Sequence, residues 1–275
     1  MRIVRVMALL ALGGLLAASA PAGAFGGPTC FGEAPTAVEF LGDDTAETFN
    51  GTPGDDVIIG MGGDDVIYGN GGRDRICGGE GNDRIFGGPG GDFLDGEGGN
   101  DKVYGQGGND GFVLGGDGRD VLSPGAGSIN YTGTIEGGAG PDRIVIDQNG
   151  VNDVWGGSGR DTIDFRNAPV GINVNLKFSQ FLDGALTGAI GYMVREVEDV
   201  YGSDFDDYIT GTGRVNHLSG YGGADHIMGL GGDDFLYGGD GDDWLAGGAD
   251  YDTLDGGDGW DACWQQEAPG IDCEN

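Results

Sequence analysis

A period of nine residues runs through most of the chain and restricts its fold more than any other feature. Units such as GTPGDDVII (51–59), GMGGDDVIY (60–68) and GGEGNDRIF (78–86) share glycine at the first and fourth positions, aspartate at the sixth and a large apolar residue at the eighth. Six turn-forming residues followed by three strand-forming residues, at a fixed interval, indicate stacked repeats rather than one globular core.

The units form two arrays. Eight units span residues 51–123, with Leu114 as one inserted residue, and seven units span residues 202–264 without a break in frame. Isolated units and weaker in-register stretches lie outside them: 42–50, 128–136, 137–145, 147–155 and 156–164, with Phe49, Ile135 and Val154 at the eighth position of the weaker three. We therefore expect a continuous solenoid over about residues 42–164.

Side chains alternate along a strand, so the eighth position is predicted to face inward and the seventh and ninth outward. The predicted inner column comprises Ile58, Ile67, Ile76, Ile85, Leu94, Val103, Phe112, Ile209, Leu218, Ile227, Leu236, Leu245 and Leu254. One such side chain contributes about 1.5 to 3 kcal/mol, whereas ordering each of nine residues costs about 1 kcal/mol or more. Ligand binding is therefore expected to contribute to folding.

The charge of the chain indicates which ligand this is. Asp and Glu number 46 against 13 Lys and Arg, a formal net charge of −33, so the unliganded chain repels itself. Nucleic acids and anionic membrane surfaces bind through Lys and Arg, and we expect neither as a partner, nor membrane insertion. A divalent metal ion is the expected counter-charge.

The turns offer oxygen ligands of the kind that calcium prefers, namely backbone carbonyls beside glycines and a carboxylate at the sixth position. With two nonapeptides per coil, turns 18 residues apart stack at about 4.8 Å and share ions. The expected sharing pairs are Asp56 with Asp74, Asp65 with Asp83, Asp74 with Asp92, Asp83 with Asp101, Asp207 with Asp225, Asp225 with Asp243, Asp234 with Asp252, and Asp243 with Asp261. The candidate metal ligands are Asp56, Asp65, Asp74, Asp83, Asp92, Asp101, Asp110, Asp120, Asp142, Asp161, Asp207, Asp225, Asp234, Asp243, Asp252 and Asp261.

Some units depart from the pattern, and we expect weaker or absent calcium there. The departures are Asn216 at the sixth position, Phe205, Arg214 and Asp250 at the fourth, and Arg73, Arg119 and Arg160 at the fifth.

These units closely match G-G-x-G-x-D-x-U-x, where U is a large apolar residue, and the chain resembles the RTX family of secreted calcium-binding nonapeptide-repeat (hemolysin-type) proteins. The resemblance covers about two thirds of the mature chain. It implies an all-β fold, a right-handed parallel β-roll with two nonapeptides per coil, whose turns hold multiple Ca²⁺ ions between successive coils on both edges. Many members of that family leave the cell through a C-terminal signal and have no N-terminal one, whereas this chain has an N-terminal leader.

That leader is residues 1–24, in which Arg2 and Arg5 precede an apolar stretch and small residues that end at Ala24. The pattern predicts a secretory signal peptide cleaved after Ala24, with Ala20 as the alternative, and an extracellular protein. A transmembrane anchor would need about 20 continuous apolar residues, whereas Gly13 and Gly14 interrupt this run.

Four cysteines in a chain bound for an oxidising compartment favour two disulfides. Of the three pairings, sequence proximity and the repeat frame favour Cys30 with Cys77 and Cys263 with Cys273. A zinc site is the competing interpretation, but no Cys-x-x-Cys occurs.

Residues 165–201 leave the repeat frame, and 172–176 alternate apolar and polar side chains as a half-buried strand does. We interpret the segment as a structural insertion or edge cap, with a partner-binding surface as the alternative. The expected organisation is signal peptide 1–24, N-terminal cap 25–50, first array 51–164 (degenerate after 123), insertion 165–201, second array 202–264 and disulfide-closed C-terminal cap 265–275.

We predict no enzyme and no catalytic residues. His217 and His226 both occupy the seventh position and should face solvent on opposite sheets, and no His-Glu-x-x-His or Gly-x-Ser-x-Gly occurs. Aromatic residues expected outside (Tyr68, Phe86, Tyr104, Tyr237, Trp244 and Trp260) are interpreted as strand formers, with a binding face as the alternative.

The leading hypothesis is a secreted calcium-binding module that folds on binding, with an unidentified cell-surface or matrix partner. The alternatives are an adhesin or a surface- or ice-binding protein, and the scaffold of a secreted hydrolase or toxin.

Overall fold

The computed structural model describes residues 30–31, 39–125, 133–147, 153–177, 190–191, 193–265 and 273. This part of the chain contains strands and turns but no helix, and so no helix long and apolar enough to cross a membrane. The strands are β1 (Glu39–Leu41), β2 (Thr48–Asn50), β3 (Val57–Gly62), β4 (Val66–Tyr68), β5 (Arg75–Glu80), β6 (Arg84–Gly90), β7 (Phe93–Gly98), β8 (Lys102–Gly108), β9 (Phe112–Asp117), β10 (Val121–Ser123), β11 (Thr134–Ala139), β12 (Arg143–Val145), β13 (Asp153–Ser158), β14 (Thr162–Asp164), β15 (Ile172–Asn175), β16 (Ile190–Gly191), β17 (Met193–Arg195), β18 (Asp199–Tyr201), β19 (Tyr208–Thr210), β20 (His217–Gly222), β21 (His226–Gly231), β22 (Phe235–Asp240), β23 (Trp244–Ala249), β24 (Thr253–Asp258) and β25 (Ala262–Trp264).

The strands form three parallel sheets. The long sheet has the order β2-β4-β6-β8-β10-β12-β14-β18-β20-β22-β24. The first short sheet is β1-β3-β5-β7-β9-β11-β13-β17 and the second is β16-β15-β19-β21-β23-β25. Through the repeats, alternate strands along the chain belong to the long sheet and to a short sheet, as in a β-solenoid. The predicted fold class is therefore confirmed.

The register follows the repeat. Val57 pairs with Arg75 and Ile58 with Ile76, an offset of two nonapeptides per coil, as predicted. Longer offsets occur where the sequence is irregular, since Phe112 pairs with Thr134 and the strands remain aligned. The extra residues are accommodated in the turns, and the strand register is kept.

The eighth-position side chains form one continuous core column. Ile58, Ile67, Ile76, Ile85, Leu94 and Val103 have no exposed surface, and Ile209, Leu218, Ile227, Leu236 and Leu245 are at most 2% exposed. Phe49, Ile135 and Val154 are buried in the same core, which confirms the register of the weak stretches, and Leu254 packs partly buried against its end.

The prediction that Phe112 belongs to the inner column is wrong. Phe112 is 40% exposed and pairs with Phe93, while Val113 pairs with Leu94 and is fully buried. The inserted residue is therefore Gly111, between Asp110 and β9, rather than Leu114. The shift leaves Asp110 in line with Asp92, and it places the Phe112 ring 5.7 Å from that of Phe93 and 6.4 Å from that of Phe31.

The described parts of the segment 165–201, residues 165–177, 190–191 and 193–201, contribute strands to the solenoid. The predicted strand is present as β15, with Ile172 and Val174 buried. In the long sheet β18 lies between β14 and β20, so this sheet is continuous through the segment. On the other side, β17 ends the first short sheet, whereas β16 and β15 begin the second.

Both predicted disulfides are present. Cys30 is bonded to Cys77 of β5, with 5.7 Å between their Cα atoms, and Cys263 of β25 is bonded to Cys273, with 5.9 Å. Within the predicted N-terminal cap, β1 and β2 pair with β3 and β4 of the roll. The predicted signal peptide lies outside the described residues.

Candidate metal sites

The sixth-position aspartates line the two edges of the roll. Those that lead into the short sheets are Asp56, Asp74, Asp92, Asp110, Asp207, Asp225, Asp243 and Asp261; those that lead into the long sheet are Asp65, Asp83, Asp101, Asp120, Asp142, Asp161, Asp234 and Asp252. All are at most 3% exposed except Asp252 and Asp261, which are partly buried.

Successive aspartates on one edge are joined by hydrogen bonds. The backbone N–H of Asp56 donates to Oδ1 of Asp74 at 2.9 Å, and that of Asp65 donates to Oδ1 of Asp83 at 2.7 Å. The same bond recurs along both edges. All eight predicted sharing pairs are in direct contact in this way, because each strand pairing brings the turns before the two strands together.

The other carboxylate oxygen, Oδ2, has no hydrogen-bond partner in thirteen of these residues although it is buried. They are Asp65, Asp74, Asp83, Asp92, Asp101, Asp120, Asp142, Asp161, Asp225, Asp234, Asp243, Asp252 and Asp261. A buried carboxylate oxygen without a donor is costly, and such atoms are rare in folded proteins. A regular series of them indicates positions for cations.

Carbonyl oxygens of the next coil converge on the same positions. A methyl group placed on Gly87 would lie 2.6 Å from Oδ2 of Asp92 and 3.0 Å from the carbonyl oxygen of Gly105. At Gly137 the corresponding distances are 2.6 Å to Asp142 and 2.5 Å to the carbonyl oxygen of Gly156. A side chain at the first position would fill this space, so glycine there keeps open a cradle lined by oxygen atoms.

Burial raises the pKa of these aspartates. It raises the pKa of Asp74, Asp92 and Asp101 to about 7 and that of Asp225 to about 8. The donated backbone N–H acts in the opposite direction, and the stacked aspartates of neighbouring coils raise the pKa further. The negative charge is thus poorly stabilised by the protein alone.

The sequence model of the RTX calcium-binding nonapeptide repeat (four copies) matches residues 41–76, 78–112, 130–163, 201–236 and 237–264. The chain belongs to this family. The RTX repeat is a structural calcium-binding repeat, so the matched stretches describe a calcium-binding protein and not a catalytic domain. No curated protein matches the chain.

Two acids occupy the RTX sixth position without having been predicted as ligands. The backbone N–H of Glu47 donates to Oδ1 of Asp65, and Oε2 of Glu198 accepts from the backbone N–H of Asp161 at 3.0 Å. Glu47 could have been found, since it is the sixth residue of the in-register stretch 42–50. Glu198 could have been found only by aligning Val200 with the inner column.

The departures from the RTX pattern differ in their surroundings. The side-chain amide of Asn216 accepts from Thr212 and donates to the carbonyl oxygen of Glu198 at 2.7 Å. The Arg160 guanidinium lies 2.7 Å from Asp199, and the backbone N–H groups of Arg73 and Arg119 donate to Asp55 and Asn100. These contacts of the fifth-position arginines do not involve the sixth-position aspartates. At the fourth position, Asp250 has a positive φ of 77°, whereas Phe205 and Arg214 do not have positive φ.

Other polar groups of the RTX roll lie apart from these edges. His217 and His226 are on β20 of the long sheet and β21 of the second short sheet, on opposite sides as predicted. Cys77, Asp95 and Glu97 approach one another, but Cys77 is disulfide-bonded and offers no thiolate.

Aromatic residues on the long sheet stack on one another. The centroid distances are 5.0 Å from Tyr68 to Phe86 and 5.2 Å from Phe86 to Tyr104, with nearly parallel rings. Both faces of Phe86 are therefore covered by neighbouring rings, which favours the structural interpretation of this column over a binding face.

Proposed function

We propose that the chain is a secreted calcium-binding protein that binds multiple Ca²⁺ ions between successive coils and folds on binding them. The series of thirteen buried Oδ2 atoms without a donor carries this proposal. Calcium would supply the positive charge that these oxygens lack. The sixth-position aspartates would hold it through their carboxylates, together with carbonyl oxygens of the glycine-rich turns.

The donor set fits calcium better than other biological metals. Carboxylate and carbonyl oxygens in flexible turns suit Ca²⁺, which takes six to eight oxygen ligands, whereas zinc prefers imidazole and thiolate. The two histidines lie on strands and not in these turns, and the four cysteines are disulfide-bonded.

Folding on binding is supported by the cost of closing the roll without cations. The coils stack buried aspartates of successive turns, with the backbone N–H of Asp74 bonded to the carboxylate of Asp92, and their mutual repulsion adds to that of a chain of net charge −33. Sites in extracellular modules have dissociation constants of roughly 0.1 to 1 mM, so the chain would stay unfolded at cytosolic calcium and fold outside the cell.

Secretion is supported by two features of the chain. Residues 1–24 have the composition of a signal peptide, and two disulfides are characteristic of proteins from oxidising compartments. Expression with the leader should give a product in the culture medium whose N-terminal residue is Phe25, as read by N-terminal sequencing. A product that stays in the cytosol with Met1 at its N-terminus would refute export.

Circular dichroism in the far ultraviolet tests calcium-dependent folding. In chelator the mature chain should show the spectrum of a disordered protein, and calcium near 1 mM should convert it to β-structure. Magnesium at the same concentration is the control and should have little effect. A spectrum that does not change with calcium would contradict folding on binding.

We also propose that the protein is not an enzyme, on the ground that the matched repeats are structural. The test is turnover of protease, lipase and phosphatase substrates by the calcium-loaded chain, and cleavage of any one of them would reverse this assignment.

A further inference from the structure

Three turns have a hydroxyl residue at the second position of the unit, and in these turns the sixth-position side chain is bonded within its own turn. The Thr52 N–H donates to Oδ2 of Asp56 at 2.6 Å, and the Thr52 hydroxyl also contacts this carboxylate. The Ser203 N–H donates to Oδ2 of Asp207 at 2.7 Å and its hydroxyl donates to Oδ1 at 2.8 Å. Thr212 makes the corresponding bonds to Oδ1 of Asn216, at 2.7 and 3.0 Å.

The thirteen turns with a partnerless Oδ2 differ from these three in the backbone of the second residue. In every one of the thirteen that residue has positive φ: Met61, Asn70, Gly79, Gly88, Glu97, Gly116, Gly138, Gly157, Tyr221, Leu230, Gly239, Gly248 and Gly257. Thr52, Ser203 and Thr212 do not have positive φ. The N–H of the second residue is thus donated to the sixth-position side chain in the three turns and is not donated to it in the thirteen.

We propose that the second residue of each unit decides whether its turn takes calcium. In the thirteen turns a left-handed second residue leaves Oδ2 for the ion, whereas Thr52, Ser203 and Thr212 close their turns with hydrogen bonds that replace it. This inference rests on the calcium function proposed above. By this inference Asp56 and Asp207 do not bind calcium in their own turns.

Side-chain chemistry explains the choice. Left-handed backbone is a true outlier for a β-branched residue such as threonine, while glycine adopts it freely. A hydroxyl beside the acid adds a second donor, and two donors satisfy a carboxylate that would otherwise need a cation.

The closed turns lie at the start of the two arrays. Thr52 belongs to the first unit of the first array, and Ser203 and Thr212 belong to the first two units of the second. Just before the first array, the Asp43 N–H donates to Oε2 of Glu47 at 3.0 Å, so the turn that precedes Thr52 also has an N–H bonded to its sixth-position acid. Each array would thus begin with turns whose sixth-position side chains need no ion, and the calcium-binding coils stack on these turns.

The chain contains a matched pair of turns. Residues 51–56 read GTPGDD and residues 87–92 read GGPGGD, so they differ at the second and fifth positions. Gly88 has φ of 106° and Oδ2 of Asp92 has no partner, whereas Thr52 binds Asp56. The variant Thr52→Gly would convert the first turn into the second type.

Equilibrium dialysis of the full mature chain with radioactive calcium tests the inference. At saturation Thr52→Gly should bind one ion more than the wild type, and Thr52→Ser, which keeps the hydroxyl, should bind the same number. An unchanged ion count in a folded Thr52→Gly variant would overturn the inference.

A crystal structure of the calcium-loaded wild type gives a result that needs no variant. Anomalous density beside Asp92 and none beside Asp56 supports the inference, and an ion held by Asp56 together with the carbonyl oxygen of Gly69 refutes it. A wild type that binds no calcium at all would refute the proposed function instead, which separates the two failures.

Discussion

The backbone N–H of Asp74 donates to Oδ1 of Asp92 at 2.9 Å, while Oδ2 of the same Asp92 is buried without a donor. One carboxylate therefore joins two coils through one oxygen and leaves the other oxygen for a cation. Repeated along both edges, this relationship makes the stacking of the coils depend on the charge of the turns.

Replacing Asp92 by asparagine should weaken calcium binding and the coils around it. The change removes a charged ligand while keeping the shape, and a bond to a charged group contributes about 1.5 to 3 kcal/mol. We expect the calcium midpoint for folding to rise severalfold in a titration followed by circular dichroism. Asp240→Asn, at an exposed position, alters the net charge equally and should leave the midpoint nearly unchanged. Equal shifts in both variants would mean that net charge alone sets the midpoint.

Acid should act in opposite directions with and without calcium. Burial raises the folded-state pKa of the sixth-position aspartates to about 6 in Asp120, about 7 in Asp74 and about 8 in Asp225, above the value of about 3.9 in an unfolded chain. The folded apo state thus binds more protons than the unfolded state, and proton binding stabilises the fold. This stabilisation is complete below about pH 4 and is lost as pH rises through about 6 to 8. In chelator, β-structure should increase from pH 8 to pH 5.

With calcium present, protons compete with the ion for the same carboxylates, so the calcium midpoint should rise as pH falls below about 6. Circular dichroism across this range checks both trends. An apo chain that loses structure on acidification would contradict the raised pKa values.

Polar substitution at Val113 and Phe112 should separate the two registers of β9. Val113 has no exposed surface, so Val113→Asn buries an unsatisfied amide at a cost of about 1 to 3 kcal/mol in addition to the lost packing. Phe112→Asn, at a position 40% exposed, should cost about 1 kcal/mol by losing its ring contacts. Thermal unfolding in saturating calcium measures both. A larger loss for Phe112→Asn would favour the register with Leu114 inserted.

Removing the Cys30–Cys77 disulfide should destabilise the protein more than removing Cys263–Cys273. The first closes a loop with a sequence separation of 47 and the second one of 10, and the entropic stabilisation grows with loop length, typically about 2 to 4 kcal/mol. The first also positions Phe31 at 5.8 Å from Phe93. Paired Cys→Ser variants, compared by unfolding temperature in calcium, test the order, and the opposite order would argue against it.

The repeat made most of the fold predictable. A fixed period determines which residue faces inward, so Ile58, Ile76 and the stacking of Asp56 on Asp74 follow from counting. The inserted residue was misplaced because Gly111 and Leu114 both restore the frame, and only strand pairing distinguishes them.

The hydrogen-bonded turn at Thr52 could not be predicted from the sequence, for a different reason. The repeat pattern accepts Thr52 and Asn70 equally at the second position, and their opposite roles depend on the sign of the backbone angle φ. Similarly, β18 follows a stretch outside the repeat frame, and its place in the long sheet depends on pairings between residues far apart in sequence, such as Thr162 with Asp199.

The long sheet continues past β18, opposite the change from the first to the second short sheet, and this should give the two sides of the molecule different responses to tension. Tension along the axis would be borne on one side by an unbroken series of interstrand hydrogen bonds. On the other side the tension would concentrate at the boundary between the two short sheets, where β17 ends the first and β16 begins the second. The solenoid should therefore bend in one preferred direction, opening at that boundary.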